Sequence, residues 1–299
     1  MTVHRLVGFP LAAIIFLVTA GAVPAQTQKE LLDELDRTIE EAESYVAAKE
    51  VRIKTIENSL HSRGVSPERQ YKIYGELFDE YQPFNYGKAV ETLEKQKEIA
   101  MLLGDKSKLN NVYLKEAMLN TAAGEFLEAR NDLARVDTTI FTKEQEIAYC
   151  NVQQRFWFDY DENQKGADKS MLRKVAYYRE RLLALADPSS SLSRYVTVRK
   201  CIDEKDFAQA DFINRHSLSR MDPASHDYAN LAYFQARICE QLNRWEEMKN
   251  WFIRSAMADI KTATKDNASL FSLADALFKD GDYARAFKYS SFSLEDAIA

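Results

Sequence analysis

Glycine and proline are scarce in this chain, with 9 and 6 residues among 299. So few turn-formers leave little material for the hairpins of a β protein, and strands should be nearly absent. Cysteine is limited to Cys150, Cys201 and Cys239, an odd number that cannot form a fully paired disulfide framework. Cys201 and Cys239 occupy equivalent positions in neighbouring repeats. Equivalent points on stacked helices lie roughly 8–10 Å apart, beyond the reach of a disulfide. Excess positive charge is also missing. A net charge of −6 and a pI near 5.5 argue against a nucleic-acid surface on this segment.

Catalytic and metal-binding patterns are missing too. There is no Gly-rich phosphate loop, no G-x-S-x-G and no H-E-x-x-H. Beyond His4, the histidines His61, His216 and His226 are scattered at expected helix ends, whereas a metal site needs clustered ligands. Asp159, Asp161 and Glu162 resemble part of a calcium loop, but the glycine and the distal glutamate of such a loop are missing; they read as a solvated turn. The expectation is a chain without enzymatic activity, cofactor or metal.

What is present is a repeat. Gly124-Glu125-Phe126-Leu127-Glu128-Ala129 combines a helix breaker, an aromatic and, three residues later, an alanine. The figure recurs as Tyr86…Ala89, Phe207…Ala210, Trp245…Met248 and Tyr283…Ala286, with the small residue (Met once) at steps of 40, 81, 38 and 38. The step of 81 holds one degenerate copy. A period near 40 marks a stacked array of helix hairpins. In this reading Gly or Asn ends the first helix of each hairpin, the aromatic wedges between its two helices, and the alanine lets their backbones approach.

Two further positions recur ahead of each small residue. One reads Tyr74, Leu114, Tyr195, Tyr233 and Phe271, and the other Leu77, Ala117, Val198, Ala236 and Ala274. Their i, i+3 spacing predicts the buried stripe of every first helix.

Domain boundaries follow. Residues 1–25 form a secretory signal peptide: Arg5, an apolar run from Leu6 to Ala20, and the small-residue site Ala22-Val23-Pro24-Ala25 before Gln26. Residues 26–63 form an amino-terminal heptad helix. Its seam Leu32, Leu35, Ile39, Ala42, Val46, Lys49, Ile53, Ile56, Leu60 is interrupted only by Lys49. This helix either caps the first hairpin or pairs with another copy of itself in a homodimer. Residues 64–299 form the array, all-α and superhelical, of about six hairpins. The last helix still reads amphipathic when the sequence stops, with no polar capping helix after it. The chain is therefore expected to be part of a longer one, or to have this end covered by a partner.

The turns resemble tetratricopeptide repeats with lengthened helices. The stretches LLDELDRTIEEAESYVAAKEVRI, ERQYKIYGELFDEY and SAMADIKTATKDNASLFSLADALFKDGDYARAFKYSSFSLEDA go further. They resemble a bacterial envelope family of tetratricopeptide-containing transcriptional regulators whose shared domain has no assigned biochemistry. That resemblance implies a periplasmic sensor region, followed in relatives by one membrane span, a coiled coil and a DNA-binding module. This sequence contains neither the span nor the DNA-binding part. A free-standing envelope scaffold is the alternative.

Recognition is then the expected function, with a protein or peptide ligand on the concave face. Tyr195/Arg199 and Tyr233/Arg237 recur 38 residues apart at i, i+4 spacing on successive first helices. Two parallel Tyr–Arg pairs would suit an extended peptide or an acidic group. Alternatively, both tyrosines are core and both arginines pair with neighbouring acids such as Glu204 or Glu240.

Overall fold

The computed structural model describes residues 26–164 and 168–298, and among them it contains fourteen α-helices and no strand. The expected signal peptide, residues 1–25, lies outside the described residues. After α1 (Gln28–Glu40) and α2 (Ala42–Leu60) come six antiparallel hairpins. They are α3 (Pro67–Tyr81) with α4 (Tyr86–Leu102), α5 (Lys106–Ala122) with α6 (Phe126–Arg135), and α7 (Lys143–Asn163) with α8 (Lys169–Leu185). Then follow α9 (Ser191–Asp203) with α10 (Phe207–Leu218), α11 (His226–Gln241) with α12 (Trp245–Lys261), and α13 (Ala268–Asp280) with α14 (Tyr283–Ile298). The all-α superhelical array of six hairpins expected from the period is the fold observed.

Local chemistry starts and stops these helices. Ser66 caps α3 ahead of Pro67, Asn85 caps α4 and Asp105 caps α5, each accepting from the backbone N–H three residues on. Thr142 and Gln145 form a capping box on α7. Gly124, Asn243 and Gly281 supply the left-handed residue that ends a first helix, with φ of 79°, 57° and 88°. In the fourth hairpin Lys205 takes that conformation instead, at φ 61°. A side chain there costs roughly 1 kcal/mol, which the packing around it overrides.

The small residue of the figure is buried in all five copies, and so is the second stripe position. Other parts of the pattern need correcting. The aromatics are not all wedged within their own hairpins: Tyr86, Trp245 and Tyr283 are exposed, and Phe126 stacks edge-on against Phe156 and Tyr160 of the following hairpin, whereas Phe207 is partly buried on the core that holds Val198 and Cys201 of its own first helix. At the first stripe position Leu114 is buried but Phe271 is exposed, since no other described hairpin covers it. Phe78, four residues beyond Tyr74 on α3, is buried against the first hairpin's core. Asp159 to Glu162 are not a turn but the end of α7. Asp161 is buried there, accepting from the Asp168 N–H at 3.1 Å, while Tyr160 stacks on Phe156.

The largest departure is at the amino terminus. The heptad segment is not one helix but two, broken at Glu41 (φ −90°, ψ 0°). The break lets its halves serve opposite ends of the array. Ile53, Ile56 and Leu60 of α2 join the core of the first hairpin. Leu31, Leu32 and Leu35 of α1 are buried among Phe252, Leu273 and Tyr289 of the last two hairpins. The seam is thus covered within the chain, at both ends of the array, and the stack closes into a ring.

Candidate functional site

Closure encloses an open central cavity of about 1170 Å³. The first helices of the first five hairpins each turn one face toward it. These are Glu76, Asp79 and Glu80 on α3, Met118 and Ala122 on α5, and Asn151, Gln154 and Arg155 on α7. Leu192 and Tyr195 on α9, with His226 and Asn230 on α11, continue the wall. The segment Gln82–Tyr86 and the α12–α13 connection complete it. The concave side is therefore built from first helices, as hairpin arrays require.

The junction that closes the ring is part of this wall. The Lys265 N–H donates to the Pro83 carbonyl at 2.8 Å. Lys49, the one polar residue of the heptad seam, is buried there. Its Nζ donates to the Thr262 carbonyl at 3.3 Å, lies 3.8 Å from Glu80 and sits over the Phe84 ring. Burial pulls its ammonium below the usual lysine range, and Glu80 opposes that shift. The seam's apparent flaw is a clasp.

The chemistry of the wall is mixed. Four carboxylates (Glu76, Asp79, Glu80, Asp266) face three cations (Lys49, Arg155, Lys265), so no single charge dominates. Arg155 is paired with Asp159, and Lys115 neutralises Asp79 at 3.1 Å. What distinguishes the wall is side-chain amide beside aromatic: Gln82, Asn151, Gln154 and Asn230 with Phe84, Tyr86 and Tyr195. Such amides carry both a donor and an acceptor. Among the described residues, no group of three or more His, Cys, Asp or Glu is arranged to hold a metal.

A groove of about 640 Å³ leads out of the cavity between α3, α5 and α7, sharing Met118 and Asn151 with it. At its floor Gly75 lies inside α3, where glycine is costly. A Cβ there would lie 2.9 Å from Nε2 of Gln96, which donates to the Tyr71 carbonyl at 3.0 Å. Gln96 is buried and its Oε1 has no hydrogen-bond partner. An exposed helical Gly→Ala change gains up to ~1 kcal/mol. At Gly75 the displaced amide loses its bond inside a closed site, at ~1–3 kcal/mol. Gly75→Ala is therefore expected to lower stability by about 1 kcal/mol in urea titration, the opposite sign to an exposed helical site.

Of the four residues singled out in sequence, Tyr195, Arg199 and Tyr233 all approach the Phe234 ring, but only Tyr195 lines the cavity. Tyr195 lines the cavity and leans on Phe234, ring centroids 5.1 Å apart. Arg199 bonds Asp203 at 3.1 Å and sits over the Phe158 ring. Tyr233 packs against Phe252, and Arg237 pairs with Glu240 at 2.8 Å. Asn151, Gln154 and Asn230 went unnoticed because a lone amide on a helix carries no signature. Only the period marks them, as residues on first helices. All three cysteines are free and buried, and burial raises the Cys150 thiol to about 11.

Comparison with known families gives one decisive match. The model of the SusR N-terminal TPR domain covers residues 39–299. The chain belongs to that family. It is a helical-repeat module of tetratricopeptide type, a fold that is typically non-catalytic. No curated protein matches it. The matched stretch begins within α1 and takes in the clasp, all six hairpins and every residue of the cavity wall. No helix among the described residues is long and apolar enough to cross a membrane.

Proposed function

We propose that this SusR-type domain is a non-catalytic periplasmic sensor region of a membrane-anchored transcriptional regulator, capturing an extended peptide in the ring. The supporting observation is the cavity wall, which combines side-chain amides with aromatics and carries charges of both signs. A peptide backbone repeats one donor and one acceptor per residue, which side-chain amides match. Aromatic faces take its apolar side chains. A wall with four carboxylates against three cations offers no advantage to a polyanion. Export by the signal segment 1–25 would place this wall outside the cytoplasm.

The test is retention of a random hexapeptide library on the immobilised chain, read by mass spectrometry. Wild type should enrich a peptide set, and Asn151→Ala with Gln154→Ala should reduce retention at least ~10-fold, the loss of about two net hydrogen bonds. Arg199→Glu with Arg237→Glu is the second arm. If that pair abolishes capture while the amide pair leaves it intact, the ligand runs along the Tyr–Arg ladder instead. Equal retention by all three proteins would sink the reading.

A further inference from the structure

The last hairpin carries a face that no other described helix covers. α13 exposes Phe271 and Phe278; α14 exposes Tyr283, Phe287 and Leu294. The repeat register shows what such positions do elsewhere. Leu294 is 62 % exposed, while its equivalents one and two hairpins earlier, Ala256 and Leu218, are 2 % and 5 % exposed. Phe287 corresponds to Lys249 and Asp211, which are polar and reach into the following hairpin. Lys249 pairs with Asp280, and Asp211 accepts from Gln235 and from Arg244. A terminal repeat left in water is expected to become more polar at such positions. This one exchanges a charge for phenylalanine.

We propose that this face docks a second copy of the chain, last hairpin against last hairpin across a two-fold axis. Size and charge both favour a copy of itself. Burying five side chains, each about two-thirds exposed, removes roughly 600 Å² per copy. That approaches the ~800 Å² per partner of a standard interface before the rim is added. Phe271 and Phe278 lie one heptad apart on α13, with Asp275 between them and Lys279 beside them; these two charges pair at 2.6 Å within the helix. Antiparallel docking of two α13 helices about an axis level with residue 277 brings Asp275 of each copy opposite Lys279 of the other, sets the two Phe278 rings side by side across the axis, and places Phe271 level with Tyr283 of the other copy. An isologous interface needs this self-complementarity. Phe278 already holds Tyr283 edge-on, centroids 5.2 Å apart, so part of the surface is preordered. The arrangement sets the carboxyl-terminal ends of two rings side by side and leaves both cavities open.

Sedimentation equilibrium of the chain over about 1–200 µM tests this, with a dimer of Kd in the low micromolar range expected. Phe271→Asp with Phe287→Asp, at two exposed sites, should be monomeric throughout with an unchanged far-ultraviolet spectrum. Asp275→Lys and Lys279→Asp should each weaken the dimer about tenfold, and the two together should restore it. Any of four results overturns the proposal: a monomeric wild type, growth beyond a dimer, a phenylalanine variant that still dimerises, or a charge exchange that fails to restore association. Peptide capture is measured separately, so neither result decides the other.

Discussion

Replacing Leu31 and Leu35 by aspartate is expected to open the ring while leaving most of its helices intact. Both leucines are fully buried, in a cluster with Phe252, Ile253, Leu273 and Tyr289. Truncating one such leucine costs ~2–5 kcal/mol, and seating a carboxylate in its place costs more. The loss for the pair is therefore on the order of 5 kcal/mol or above, concentrated at one junction. The polar contacts around it are weaker. Asp36 accepts from Arg285 at 3.0 Å, Lys288 at 2.9 Å and the Tyr289 hydroxyl at 3.2 Å, and Asp33 accepts from Arg285 at 2.6 Å. These side chains are partly solvated, where an ion pair contributes ~0–1 kcal/mol. They fix the register of α1, and the leucines hold it down. Each hairpin packs chiefly on its neighbours, so the stack survives without the latch. Small-angle scattering should show a larger radius of gyration with helical ellipticity nearly retained. Asp36→Asn, as control, should change stability by less than ~1 kcal/mol and leave the scattering curve as it was. A double variant that keeps the wild-type curve would show that α1 does not close the ring.

The second large effect belongs to Asp259. It is 6 % exposed and lines a cavity of about 40 Å³ at the same junction, beside Val46 of α2, Phe84 and Phe292. Burial, and after it repulsion from Asp266, raises its carboxyl to about 8. The folded chain thus keeps a proton that the unfolded chain releases at the ordinary value of 3.8. Stability linked to this proton is fully present below about pH 4, falls as pH rises toward about 8, and levels off above that. By neutral pH the folded state has lost on the order of 4 kcal/mol relative to acid. Asp259→Asn keeps the shape and removes the titration. It should raise the Tm at pH 7.5 by several degrees and abolish the slope assigned to this group. Melts at half-unit intervals from pH 4.5 to 8.5 read both effects. A variant with the wild-type slope and Tm would remove Asp259 from the account.

Lys49 and Asp259 show why some of this was readable beforehand and some was not. Lys49 was visible as a polar interruption of an apolar seam, but nothing there said what it would contact. Its partners, the Thr262 carbonyl and Glu80, lie 213 and 31 residues away, and no local pattern names them. Asp259 gave no signal at all, because an acid on an amphipathic helix looks the same whether it meets water or the other end of the chain. Tyr195 was found through its repeat position, and it does face the cavity. Arg199, Tyr233 and Arg237 shared that regularity, and which neighbours they meet (Asp203 and Phe158, Phe252, and Glu240) was not legible from it.

The sequence by itself determined the helices, their pairing into hairpins and the number of hairpins. Those depend on short-range facts: caps within a turn, an alanine where two backbones approach, apolar residues three and four apart. Tertiary structure alone decided that the stack closes, that the amino-terminal helix breaks at Glu41 to join both ends, and which residues face the enclosed space. Curvature accumulates over six hairpins from small rotations that no single repeat encodes legibly. The contacts that close the stack join residues 182 to 253 positions apart.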